Sequence, residues 1–246
     1  MNKKKEFIKI AKKILLEKEK QCKNNKILCA GIFGSIARDD NNPSDIDLIF
    51  IREHKQDNEF FTIGSRNLLN NTNFRVSIFT YTLDEAIKRI NTINSDWPIM
   101  VTQLVKVFVL KDLNKIFPKL KKQLLLIDSK KFEITAEKKL SHCLEYYKKC
   151  EKNYALKNNE IFLDSLKNYS RLLAITYMLY YKKYFLDYSN YIQEINDLKY
   201  LDKKIKDIFP YISCTKTLDL DQLFNKLQES WVLTTTFFDK KGFEFK

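Results

Sequence analysis

Residues 31 to 38, Gly31-Ile32-Phe33-Gly34-Ser35-Ile36-Ala37-Arg38, and the nearby stretch Ser44-Asp45-Ile46-Asp47-Leu48 decide how the rest of the chain is read. Glycine is scarce, with four among 246 residues, and two of the four fall here. Residues 26 to 33 read as a buried strand, after which Gly34 offers a backbone turn that lets another group come close. Residues 44 to 52 begin in strict polar and apolar alternation and read as a second strand. Side chains at i and i+2 share one face of a strand, so Asp45 and Asp47 project side by side while Ile46 and Leu48 enter the core. Two adjacent carboxylates offer hard oxygens suited to Mg²⁺, which completes its shell with water and substrate phosphate. The turn supplies partners for that phosphate: close approach at Gly34, the Ser35 hydroxyl, nearby backbone N–H groups and the Arg38 guanidinium.

Working outward, residues 73 to 81 read as a third strand and residues 106 to 110 as a fourth. Thr82-Leu83-Asp84-Glu85 has the form of a capping box opening a helix to about residue 93, and Asp96-Trp97-Pro98 opens another, because proline is tolerated in a first helical turn. Upstream, Phe7, Ile8, Ile10, Ala11, Ile14 and Leu15 give a first amphipathic helix. The first half is therefore mixed α and β. From about residue 131 helical periodicity takes over, through Leu140, Leu144 and Tyr147, then Leu163, Leu166, Tyr169, Leu172 and Leu173, and near the end Leu223, Leu227 and Trp231. An α+β chain results, with a sheet-bearing domain over residues 1–127 and a helical domain over 128–246.

Composition bounds the partners. No run of about 18 uncharged apolar residues appears, so no membrane span is expected. Five cysteines without paired C-x-x-C spacing, and only two histidines, argue against a disulfide framework and a zinc site and fit a reducing cytoplasm. Cys143 and Cys150 read as small buried hydrophobes on one helix. A surplus of 44 Lys+Arg over 31 Asp+Glu gives a net charge of +13. That suits a triphosphate and leaves nucleic acid open, but no block of five or six like charges marks a binding arm, so nucleic acid is not favoured.

The Gly34-Ser35 turn followed by Asp45-Ile46-Asp47 resembles the signature of the polymerase-β-like nucleotidyltransferase superfamily, a Gly-Ser turn followed at a distance by Asp-x-Asp/Glu on a strand. Within it the chain is similar to the kanamycin (aminoglycoside) nucleotidyltransferases, through Ser95-Asp96-Trp97-Pro98, Glu145-Tyr146-Tyr147-Lys148-Lys149 and Leu227-Gln228-Glu229-Ser230-Trp231. The resemblance implies an N-terminal nucleotidyltransferase domain, a C-terminal helical bundle and a homodimer whose active sites are completed across the interface. It also implies that Glu145 is the general base for the acceptor hydroxyl and that Lys149 binds the triphosphate. Residues i and i+4 on a helix face the same way, so the two could reach one substrate; a surface ion pair is the competing account of that spacing.

One departure from the family stands out. Its third metal-binding carboxylate falls on the strand that here reads Phe74-Arg75-Val76-Ser77-Ile78, at Ser77. Asp84 and Glu85 lie beyond that strand on the capped helix, whereas Asp57 and Glu59 in the preceding loop remain open as substitutes. Residues 64 to 72 contain no acid, which weighs against a polycationic aminoglycoside acceptor. The expected activity is Mg²⁺-dependent transfer of a nucleoside monophosphate, from ATP or another nucleoside triphosphate, to a hydroxyl of a small molecule. The alternatives are an acceptor that is RNA or protein, or an inactive nucleotide-binding homologue.

Overall fold

A computed structural model describes residues 3–21, 25–40, 43–54 and 75–243, and the backbone of 61–64. The chain divides into two compact units, one of Met1–Thr92 with Ile99–Ile127, the other of Ile93–Pro98 with Asp128–Lys246.

The first unit is built on helix α1 (Lys3–Gln21), strands β1 (Ile27–Phe33), β2 (Ile46–Arg52), β3 (Phe61–Gly64) and β4 (Arg75–Thr82), helix α2 (Leu83–Asn91), the single turns α3 (Trp97–Met100, whose first two residues belong to the second unit) and α4 (Thr102–Val105), strand β5 (Phe108–Asp112) and helix α5 (Ile116–Gln123). The strands form one sheet in the order β3-β4-β2-β1-β5. β2 and β4 run parallel, and the other neighbouring pairs are antiparallel. The four expected strands are present and β3 is an addition at the edge, while β5 begins two residues later than residue 106. Lys106 is spent closing α4, its N–H donating to the Thr102 carbonyl at 2.9 Å.

Alternation along the strands sorts the two faces of the sheet. Phe7, Ile10, Ala11, Ile14 and Leu15 follow the i, i+3, i+4 spacing of one helical stripe, and they form a single cluster with Ala30, Ile32, Ile46, Leu48, Phe50, Val76 and Ile78. Apart from Ile27, which precedes the irregularity in β1 between Ile27 and Cys29, the strand members of that cluster are even-numbered, so beyond that point odd-numbered positions point to the opposite face. Each fully buried aliphatic side chain contributes roughly 1.5–3 kcal/mol, enough for this cluster to fix the register of β2 against β1 and β4. At Gly31 a Cβ would lie 2.0 Å from a Val107 methyl carbon and 3.0 Å from the Phe108 carbonyl oxygen, so glycine is what lets β5 close on β1.

Local chemistry sets the helix ends. Thr82 Oγ1 accepts from the Glu85 N–H at 3.2 Å while Glu85 Oε2 accepts from the Thr82 N–H at 2.9 Å, the expected capping box. Asp112 receives the first N–H groups of α5, from Ile116 at 2.6 Å and Phe117 at 3.2 Å.

The second unit carries α6 (Ser129–Ala155), α7 (Asn159–Tyr180), α8 (Tyr191–Asn196), α9 (Lys203–Ile212) and α10 (Leu220–Asp239). Residues 93–98 belong with these helices because Trp97 packs edge-on against Phe132 at 4.8 Å and the Pro98 carbonyl accepts from the Phe185 N–H at 2.7 Å. Buried phenols in α7 find hydroxyl partners in α10: Tyr169 with Ser230 at 3.0 Å and Tyr177 with Thr234 at 3.1 Å. Tyr147 of α6 stacks on Trp231 of α10 at 5.2 Å. Cys143 and Cys150 are fully buried, and burial pushes each thiol up to about 12, so both behave as the apolar residues the sequence suggested. Among the described residues no helix is long and apolar enough to cross a membrane.

Candidate active site

β1 ends at Phe33 and the chain turns at Gly34, whose φ of +71° lies in the region that glycine enters without strain. A short 3-10 turn over Ile36–Arg38 follows. It is closed by the Arg38 N–H, which donates to the carbonyls of Gly34 and Ser35 at 3.2 Å each, and by the Asp40 N–H, which donates to the Ser35 carbonyl at 3.1 Å. Ile36, 1% exposed, anchors the turn in the core. Asp39, in the left-handed region, pairs with Lys4 of α1.

This turn lies against the start of β2. Phe33 is the register partner of Asp47, and a Cβ at Gly34 would stand 3.0 Å from Asp47 Oδ2. Gly34 is therefore needed twice, for its φ and for the space that keeps the Asp47 carboxylate open. On the other side of β2, Asp47 is in register with Ser77 of β4 and accepts a hydrogen bond from its hydroxyl. One step earlier, Arg75 Nη2 approaches Asp45 Oδ2 at 3.4 Å, and Ser44 Oγ donates to Asp45 Oδ1 at 3.0 Å. Asp45, Asp47, Arg75 and Ser77 are all odd-numbered and so lie on the sheet face opposite α1. Beyond them on that face, Phe33 and Phe79 meet edge to face at 5.3 Å and make an apolar floor.

The electrostatics identify which carboxylate is under pressure. Burial raises the pKa of Asp47 above the ordinary carboxylate value, and the neighbouring Asp45 raises it further. The Ser77 hydrogen bond and the Arg75 and Arg38 guanidinium groups act the other way, without cancelling the effect. A half-buried carboxylate held beside a second one, with a glycine in place of any covering side chain, provides hard oxygen donors and excess negative charge, and both fit a divalent cation. Among the described residues no third His, Cys, Asp or Glu joins the pair. Ser77, the position at which the family resemblance expects a third acid, is 5% exposed. Asp57 and Glu59 lie outside the described residues, as does most of the acid-free stretch from 64 to 72.

Gly34, Ser35, Arg38, Asp45 and Asp47 thus come together at one end of β1 and β2. Glu145 and Lys149 belong to the second unit, exposed on α6, with Lys149 Nζ 5.5 Å from the centre of the Tyr146 ring. Arg75 is the site residue that sequence reasoning missed. The signal was there: Arg75 is two positions before Ser77 on the same strand and must share its face. What the sequence did not supply was the parallel register that sets this face beside Asp45.

No protein-family model matches the sequence, and no curated protein does. Among solved structures, the chain is similar to a nucleotidyltransferase-like protein from Exiguobacterium sibiricum 255-15, with a TM-score of 0.50 and 14% sequence identity over 90% of this chain and 71% of that one. At that identity the likeness is one of fold alone.

Proposed function

We propose that this protein is a nucleotidyltransferase that moves a nucleoside monophosphate from a nucleoside triphosphate to a hydroxyl of a small molecule, with Asp45 and Asp47 holding Mg²⁺. The observation that carries this reading is the Asp45–Asp47 pair on one face of β2, kept open by Gly34, in a chain whose fold is nucleotidyltransferase-like. Bound there, Mg²⁺ would neutralise charge on the phosphates. The chain's own residues do the rest. Gly34 and Ser35 receive the triphosphate at the turn, and Arg38 pairs with a phosphate oxygen. The acceptor oxygen forms its bond to the α-phosphorus as the bond to the bridging oxygen breaks, and pyrophosphate leaves with that electron pair. The acceptor's proton passes to a general base, a role given to Glu145 by resemblance alone, as is triphosphate binding by Lys149. Such catalysis consists mainly of positioning and electrostatic stabilisation.

A second reading, an inactive homologue that binds nucleotide without turnover, is favoured by Ser77 and by the Arg75 guanidinium beside Asp45. The two readings separate on pyrophosphate release, measured with Mg²⁺ and each of the four ribonucleoside triphosphates against a panel of hydroxyl compounds that includes aminoglycosides. Release that requires both an acceptor and Asp45, and is lost in Asp45→Ala, is the expected result. Nucleotide binding with no release across the panel would favour the inactive homologue.

A further inference from the structure

The charge inventory of the site carries a more specific conclusion, which rests on the reading above. A site with three acids can draw in two divalent cations, one for each end of the displaced bond. Among the described residues two carboxylates face the Arg75 guanidinium, Arg38 also acts on Asp47, and so little net negative charge is left; Ser77 offers only a neutral hydroxyl already hydrogen-bonded to Asp47. Two divalent ions would have to share this space with Arg75 and Arg38, a like-charge arrangement that the two described carboxylates do not offset. We propose that the site takes a single divalent cation and that Arg75 supplies the second positive charge, resting on Asp45 until a triphosphate enters and then pairing with its phosphate oxygens.

The geometry suits that exchange. The Arg75 side chain is 63% exposed and its approach to Asp45 is long at 3.4 Å, so the contact is weak and readily given up. Guanidinium pairs with phosphate through strong, charge-assisted hydrogen bonds, so a triphosphate at the Gly34–Ser35 turn competes well for it. Arg75 also sits, exposed, at the first residue of β4.

The test counts bound Mn²⁺ by electron paramagnetic resonance, with and without a nonhydrolysable triphosphate, in the wild type, Arg75→Met and Arg75→Lys. One ion per chain is expected in the wild type with triphosphate. Without nucleotide, Arg75→Met should bind Mn²⁺ roughly two- to fivefold more tightly, because a competing exposed charge is gone. The same variant should bind the triphosphate about tenfold or more weakly, and Arg75→Lys should recover part of that loss. Two ions per chain in the wild type, or an Arg75→Met variant unchanged in both affinities, would overturn the inference and leave the nucleotidyltransferase reading standing. A wild type that binds neither Mn²⁺ nor triphosphate, or binds both equally well after Asp47→Asn, would overturn that reading and this inference with it.

Discussion

The mouth of β2 and the outer face of α6 both hold charged side chains assigned to the same chemistry, yet they differ in physical character. At β2 the Asp47 carboxylate is half-buried and crowded by Asp45, and its pKa is raised by both; a glycine is required beside it. On α6, Glu145 and Lys149 are exposed and solvated, and Lys149 lies near an aromatic ring as a surface lysine often does. Perturbed carboxylates cluster at functional sites, so the role proposed for the β2 pair has a physical argument of its own. The α6 pair does not, and its assignment leans on resemblance.

That contrast can be broken or sharpened by mutation. The largest expected effect is at the acid pair: Asp45→Ala or Asp47→Ala should lower the rate of pyrophosphate release by on the order of a hundredfold to a thousandfold, the scale of losing a principal electrostatic group. Glu145→Gln should cost about a hundredfold in kcat if α6 supplies the general base, with thermal stability unchanged. A kcat within a factor of about two of wild type would reduce the pair to surface residues.

Gly34→Ala comes next. It forces a side chain into the left-handed region and places its Cβ against the Asp47 carboxylate, so denaturant unfolding should show a loss of about 1–2 kcal/mol together with weakened nucleotide binding.

The smallest effect has the opposite sign. Because the raised pKa of Asp47 means that its ionised form is disfavoured in the fold, Asp47→Asn should stabilise the protein slightly at neutral pH. The wild-type penalty disappears as the pH falls through the raised pKa and Asp47 takes up a proton, so the advantage of the variant should shrink as the solution becomes acidic. Unfolding midpoints measured from neutral pH down into the carboxylate range would show it, and a gap that widened on acidification would contradict the assignment.

How much of this was legible in the sequence follows from which interactions are local. The strands at β1, β2 and β4 and the Thr82–Glu85 box are written in alternation and capping, which depend on neighbours along the chain. The Asp45–Asp47 face follows from alternation alone. β3 was missed because four residues at a sheet edge carry too short a pattern, and its place in the sheet depends on pairing with β4. Arg75 against Asp45 depends on the parallel register of β2 with β4, and the need for Gly31 on the approach of Val107, both tertiary facts. Residues 93–98 joined the helical unit through Trp97 on Phe132, a contact across 35 positions that no local signal announces.

The most direct test of the central claim is crystallographic: the anomalous signal of Mn²⁺ in crystals grown with a nonhydrolysable nucleoside triphosphate. The expected result is a manganese peak within ligand distance of Asp45 and Asp47, with the phosphates against Gly34 and Ser35. Triphosphate bound elsewhere, with no manganese at the two carboxylates, would contradict it.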